Sequence, residues 1–265
     1  MASTGPSPAA LVLAKIAAKA GEIVMRHYEA GTAPARRKED HSPVTDADEE
    51  TERLILAELS RIAPGVPVIA EEEVAANRIQ KIDARFFLVD PLDGTKEFIS
   101  RNGEFTVNIA EIEHGLPIRG VVYAPAKGRL FLGEASAGAF ELAFRPGDML
   151  EPSRAKPIAV RKAPSDGMVA VASRSHRDTK TDEYLAHYNV KDFITAGSSL
   201  KFCLVAAGEA DIYPRHGRTM EWDTAAGHAV LAAAGGTVTR LDGSPLLYGK
   251  ASEGFANPFF VARGG

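Results

Sequence analysis

Asp90-Pro91-Leu92-Asp93-Gly94-Thr95 sets two carboxylates three positions apart, directly after the apolar run Phe86-Phe87-Leu88-Val89. Such a run, rich in aromatic and β-branched side chains, reads as a short buried strand. Pro91 cannot donate to a sheet ladder and Gly94 supplies a conformationally free turn, so both carboxylates leave one strand end and can converge on one point. Carboxylates held that close repel one another unless a cation lies between them, and oxygen ligands suit a hard divalent cation. An Asx-rich turn is the bland alternative for a lone hexapeptide of this kind.

Three other stretches carry related chemistry. Pro67-Val68-Ile69-Ala70 reads as a strand running into Glu71-Glu72-Glu73; an acidic cluster there is either solvated or, paired with the Asp90/Asp93 turn, a ligand. Thr45 reads as the N-cap of a helix reaching about Ile62, with Asp46, Asp48, Glu49 and Glu50 in the first turn, where the helix dipole favours them. Asp48 can serve that cap and nothing else. Asp223, in Glu221-Trp222-Asp223-Thr224-Ala225-Ala226-Gly227, opens a further helix with the same ambiguity. Gly197-Ser198-Ser199-Leu200-Lys201 opens another, whose unpaired N–H groups would form an anion site. The single cysteine, Cys203, sits in an apolar run and reads as a small buried thiol. With no clustered histidine motif either, zinc is disfavoured, and carboxylate and carbonyl oxygens of this kind suit Mg²⁺.

Asp-Pro-Leu-Asp-Gly-Thr resembles the central signature of the inositol monophosphatase superfamily of magnesium-dependent, lithium-sensitive phosphatases. Trp222-Asp223-Thr224-Ala225-Ala226-Gly227 resembles its second signature. Lys96-Glu97-Phe98 and Arg101-Asn102-Gly103-Glu104-Phe105-Thr106-Val107-Asn108 are similar to the 3′(2′),5′-bisphosphate nucleotidase (CysQ-type) branch, and the likeness runs from about Ser42 to Val261. The resemblance implies two or three Mg²⁺ ions on Glu71, Asp90, Leu92, Asp93 and Asp223. The third Glu of the cluster leaves the register open by one, so Glu72 competes with Glu71. Asp48, Thr95 and Glu71 are the implied catalytic residues, with Thr95 taking the proton of the attacking water and Asp48 accepting in turn. Gly94, Thr95, Lys96, Ser173, His176, Gly197, Ser198, Ser199, Lys201, Arg215 and Asp223 are the implied substrate contacts, and Arg174 lies in a similar stretch. Lys96 and the Ser198 to Lys201 helix start are expected to read a second phosphate.

The implied reaction is removal of the 3′-phosphate of adenosine 3′,5′-bisphosphate, giving AMP and phosphate, a step of sulfur assimilation. An inositol-phosphate or broad sugar-phosphate phosphatase is the enzymatic alternative, and a non-catalytic nucleotide-binding relative is the alternative of another class. The expected partner is a small nucleotide; a homodimer is left open. A net charge of −4 lacks the basic footprint of a nucleic-acid binder. Hydrophobic content of 45% and charge of 25% suit a globular chain, and no apolar span is long enough to cross a membrane. Cytoplasmic residence is the expectation, with peripheral inner-membrane association left open.

The elements that must position these groups follow from periodicity. Residues 1–8 read as a disordered tail, followed by a helix from Pro8 to about Tyr28. Phe105 to Phe144 reads as a β-meander, and beyond it strands and helices alternate, implying a parallel or mixed sheet under helices. The expected fold is layered α+β and α/β, sugar-phosphatase-like. It divides into an N-terminal α+β domain (1–150) carrying the first signature and a C-terminal α/β domain (151–265) completing the site.

Overall fold

The computed structural model describes residues 5–31, 36–37, 43–173 and 179–265, without the side chains of 36–37, 43–44 and 173. Helix α1 (Pro8–Ala30) starts where Ser7 Oγ accepts the Ala10 N–H at 3.1 Å and stops at Gly31, whose φ is 67°. Of the expected disordered tail, residues 1–4 lie outside the described residues, while Ser7 and Pro8 form a good helix start. A two-residue pair, β1 (Arg36–Arg37) and β2 (Pro43–Val44), leads to α2 (Asp46–Ile62). Then come β3 (Val68–Ala70), α3 (Glu71–Ala75), β4 (Arg85–Asp93) and the five-residue α4 (Thr95–Ile99). The meander is β5 (Thr106–Glu113), β6 (Leu116–Ala124), β7 (Arg129–Glu134) and β8 (Gly138–Ala143), with β9 (Lys156–Ile158) added to its edge. These form one seven-stranded sheet in chain order, β3 and β4 parallel and the rest antiparallel.

Beyond it run β10 (Met168–Ser173), α5 (Thr179–Leu185), β11 (Val190–Ala196), α6 (Leu200–Ala206), β12 (Ile212–Arg215), α7 (Glu221–Ala233), β13 (Thr237–Arg240) and β14 (Phe260–Arg263). The second sheet has the order β11-β10-β12-β14-β13, parallel around β10 and antiparallel around β14. Helices separate the two sheets in layers, as expected; the second sheet is mixed, and the parallel β3–β4 pair makes the first sheet mixed as well.

Alternation on β4 explains the layering. Phe87 and Val89 pack with Leu13, Ala17 and Ile55 of α1 and α2 on one face. Phe86 and Leu88 pack on the other with Ala226 and Val230 of α7 and with Phe260 of the second sheet. Both faces are buried, so the strand reads as an unbroken apolar run. Helix α7 thus lies between the two sheets. It approaches β6 and β7 closely because Gly120 and Gly133 leave room: a Cβ on Gly133 would stand 2.4 Å from Val230 Cα, and one on Gly120 2.7 Å from the Ala226 carbonyl oxygen. That contact sets the height at which α7 presents its first turn. Among the described residues no helix is long and apolar enough to cross a membrane.

Candidate active site

Pro91 interrupts the β4 ladder without ending it. The register shifts between Asp90, opposite Asn108, and Asp93, opposite Thr106, and the strand resumes for one more pair. A bulge bends a strand and re-aims its side chains, and here it brings Asp93 to the cleft while Asp90 stays buried behind it. Asp90 Oδ1 accepts the Leu92 N–H at 3.0 Å, so the Asx turn and the acidic motif are one structure. Gly94 then takes φ 92°, where a side chain would be strained, and opens α4 at Thr95.

Asp48 is the third residue of α2 and is 1% exposed. Its Oδ2 accepts the Thr45 N–H at 2.8 Å and the Thr45 hydroxyl at 2.6 Å, the reciprocal cap expected of this position. Its Oδ1 faces Thr95 Oγ1 at 3.4 Å, and the Leu92 carbonyl also lies 3.3 Å from that hydroxyl. Capping and contact with Thr95 therefore use different oxygens of one carboxylate. Asp223 repeats the arrangement on α7, where its Oδ2 accepts the Met220 N–H at 2.8 Å from the third helical position.

A cleft of about 390 Å³ is lined by Glu71, Asp93, Gly94, Thr95, Lys96, Gly197, Ser198, Lys201, Arg215 and Asp223, all singled out from the sequence. Asp90 and Leu92 are buried behind it. Burial lifts the Asp90 carboxyl well above its usual range, and the charges of Glu71, Asp93 and Asp223 add to the lift. Asp223 is raised by burial and then by Asp93 and Glu71. Asp93 is raised by burial too, against the pull of Lys201, the Ser199 N–H and the Asn108 amide. Glu71, not Glu72, lines the cleft; the Glu72 N–H instead donates to Glu52 at 2.8 Å, beside the Glu73 N–H at 2.9 Å. Among the described residues no three acidic, histidine or cysteine side chains meet as a ready-made metal cluster. Each acid is held by its own element rather than by the others. The donors are all oxygen, they are buried and they repel one another, which fits a hard divalent cation.

Cations line the same cleft. Lys96 is exposed at the rim, whereas Lys201 is only 6% exposed, its Nζ donating to the Ser198 carbonyl at 2.6 Å and lying 5.4 Å from the Tyr213 ring centre. Burial pushes the Lys201 ammonium down to about 8, with Asp93 opposing the shift. The α6 start is not the free anion site expected from its sequence. The Gly197 N–H is taken by Glu104 Oε2 at 3.0 Å and the Ser199 N–H by Asp93 Oδ2 at 2.7 Å. Ser199 is buried and does not line the cleft. Cys203 is buried and its thiol is pushed up by burial, in keeping with an inert core residue. Arg174, His176 and the Ser173 side chain lie outside the described residues.

The cleft is also lined by Glu97, Phe202, Tyr213, Gly217, Arg218, Thr219 and Thr224, which sequence reasoning passed over. Tyr213 was within reach of it, since residues two apart on a strand share a face and Arg215 was already a candidate. Arg218 follows in the loop after β12, with its carbonyl accepting from Arg215 Nη2 at 3.2 Å. Glu52 and Asn108 had no local signal; each acts through the backbone or side chain of a distant element.

The model of the inositol monophosphatase family matches residues 6–261. The chain belongs to the inositol monophosphatase family. It is 47% identical to the 3′(2′),5′-bisphosphate nucleotidase CysQ of Escherichia coli (strain K12), over 93% of this chain and 96% of that protein. The crystal structure of CysQ from Bacteroides thetaiotaomicron superposes with a TM-score of 0.80 at 39% identity, covering 96% of both chains. An IMPase of Thermotoga maritima superposes with a TM-score of 0.74 at 26% identity, over 94% of this chain and 89% of that one. Membership of this phosphatase family agrees with the oxygen-rich centre, because inositol monophosphatases are Mg²⁺-dependent.

Proposed function

We propose that this family member is a Mg²⁺-dependent 3′(2′),5′-bisphosphate nucleotidase that removes the 3′-phosphate of adenosine 3′,5′-bisphosphate, leaving AMP. The observation that carries the reading is one cleft lined by Thr95, Glu71, Asp93, Asp223, Lys96 and Arg215, with Asp48 against Thr95 and Asp90 buried behind, in a chain 47% identical to CysQ.

Glu71, Asp90, Asp93, Asp223 and the Leu92 carbonyl are the proposed ligands of two or three Mg²⁺ ions. Bound there, Mg²⁺ would supply Lewis acidity and neutralise phosphoryl charge. Thr95 takes a proton from the attacking water as its own hydroxyl proton passes to Asp48 Oδ1, 3.4 Å away. The Thr45 bonds to the other oxygen fix the orientation of the acceptor. Gly94 and Thr95 line the cleft, and their N–H groups are proposed to hold the reacting phosphate. Lys96 and Arg215, which line the cleft, suit the second phosphate, which an inositol monophosphate lacks.

We also take the segments 1–150 and 151–265 as the two parts of the chain, with β9 crossing onto the first sheet as a strap. A homodimer and cytoplasmic residence belong to the same proposal, and sedimentation and cell fractionation test them. The decisive experiment for function is phosphate release from adenosine 3′,5′-bisphosphate and from inositol 1-phosphate, with Mg²⁺ and with excess chelator. Faster turnover of the bisphosphate, lost in chelator, is expected. Faster turnover of inositol 1-phosphate, or full activity in chelator, would refute the assignment.

A further inference from the structure

We infer that Ser199 is a positioning residue that ties the two signature acids together and thereby sets how tightly the centre holds its divalent cation. The inference rests on the proposed metal role of Asp93 and Asp223.

Ser199 is 1% exposed and spends its whole polar capacity inside the protein. Its N–H donates to Asp93 Oδ2 at 2.7 Å, and its hydroxyl donates to the Asp223 main-chain carbonyl at 2.6 Å. The same Oγ accepts from Asn108 Nδ2 at 3.2 Å, and Asn108 also reaches Asp93 Oδ2 at 3.3 Å. A serine hydroxyl has one proton to give, so none is left for a substrate. Asp93 comes from the first sheet and Asp223 from α7, and Ser199 spans the two through one residue.

The loop before it is shaped for this task. Ser198 takes φ 49°, a costly conformation for a residue with a side chain, and its carbonyl accepts from the buried Lys201 ammonium. That turn aims the next N–H at Asp93. Hydrogen-bonding partners that orient metal ligands commonly change metal affinity 10- to 100-fold when removed. Alanine at 199 would keep the N–H to Asp93 but take the hydroxyl from both Asp223 and Asn108.

The test is titration of the full-length Ser199→Ala protein with Mg²⁺ by calorimetry, and with Mn²⁺ by electron paramagnetic resonance, both without substrate. Roughly 10- to 100-fold weaker binding is expected, with the KM for adenosine 3′,5′-bisphosphate at saturating Mg²⁺ near wild type and the metal-free melting temperature lowered by only a few degrees for the two lost hydrogen bonds. Ser199→Cys, whose thiol is larger and a weaker donor than the hydroxyl, should lose in the same direction. It serves as the readout should the alanine variant fold poorly. Unchanged Mg²⁺ affinity in a folded variant, when the wild type binds Mg²⁺, overturns the inference alone. A raised KM with unchanged Mg²⁺ affinity also overturns it, by making Ser199 a substrate contact. A wild type that binds no Mg²⁺ removes the metal reading itself, and the inference with it.

Discussion

Thr95 Oγ1 lies 3.4 Å from Asp48 Oδ1 although 47 positions separate the two residues. One belongs to a helix cap and the other to the first residue of α4 after the β4 bulge, so the pair exists only because α2 packs against β4.

Asp48→Asn keeps an oxygen that can accept from Thr45 but loses the group that can take a proton from Thr95. Turnover should fall roughly 10²- to 10⁴-fold, the usual contribution of a positioned base. Melting temperature should change little, since the Asn side-chain oxygen can still accept the Thr45 N–H from the third helical position. Normal turnover in a variant that melts far lower would reduce Asp48 to a cap.

Lys96 and Lys201 should behave differently. Lys96 is exposed at the rim, so Lys96→Ala should lower kcat/KM for adenosine 3′,5′-bisphosphate by roughly 10- to 150-fold, the worth of a charge-assisted contact, and leave inositol 1-phosphate nearly unchanged. Lys201 is buried beside Asp93 and holds the Ser198 carbonyl. Lys201→Met should therefore cost both substrates alike. Parallel kinetics of the two variants on the two substrates decide this, and a loss confined to the bisphosphate in Lys201→Met would contradict it.

Gly133→Ala would drive a methyl to 2.4 Å from the Val230 backbone. Neither backbone can yield without moving α7 off the first sheet, so stability should fall by about 2 kcal/mol or more. The remaining folded protein should need more Mg²⁺, because Asp223 moves with the helix. An unaltered urea midpoint would show that the contact is not tight.

His228 gives a pH signature away from the cleft. Burial holds its imidazole down to about 4, against 6.5 for the free side chain, beside the Tyr248 hydroxyl at 3.0 Å. The unfolded chain thus binds a proton as pH falls through 6.5 while the folded chain stays neutral until about 4. Stability is complete above that range and declines across it, by about 3 kcal/mol for this group. Urea unfolding of the wild type and His228→Gln at pH 7.5 and about 4 should show their difference shifting by that amount against the wild type. A constant difference would mean that His228 is not kept neutral by the fold.

The two acidic signatures were legible in the residues themselves, because a bulged strand end with Pro and Gly and a helix first turn with Asp are local structures. The helix caps and the meander were legible for the same reason, each resting on near neighbours. The second sheet was legible only as parallel or mixed, because its pairings join residues as distant as Ala170 and Ile212, or Ile212 and Arg263. Glu71 and Glu72 could not be separated that way, being adjacent acids in one short helix; the packing of α3 against α2, with Glu52 holding the Glu72 and Glu73 N–H groups, turns Glu71 toward the cleft. Nor does the stretch Gly197 to Lys201 reveal that its N–H groups are already taken. Burial and pairing across distant elements depend on how two sheets close around α7, and a local sequence window carries no record of the carboxylates that closure brings near.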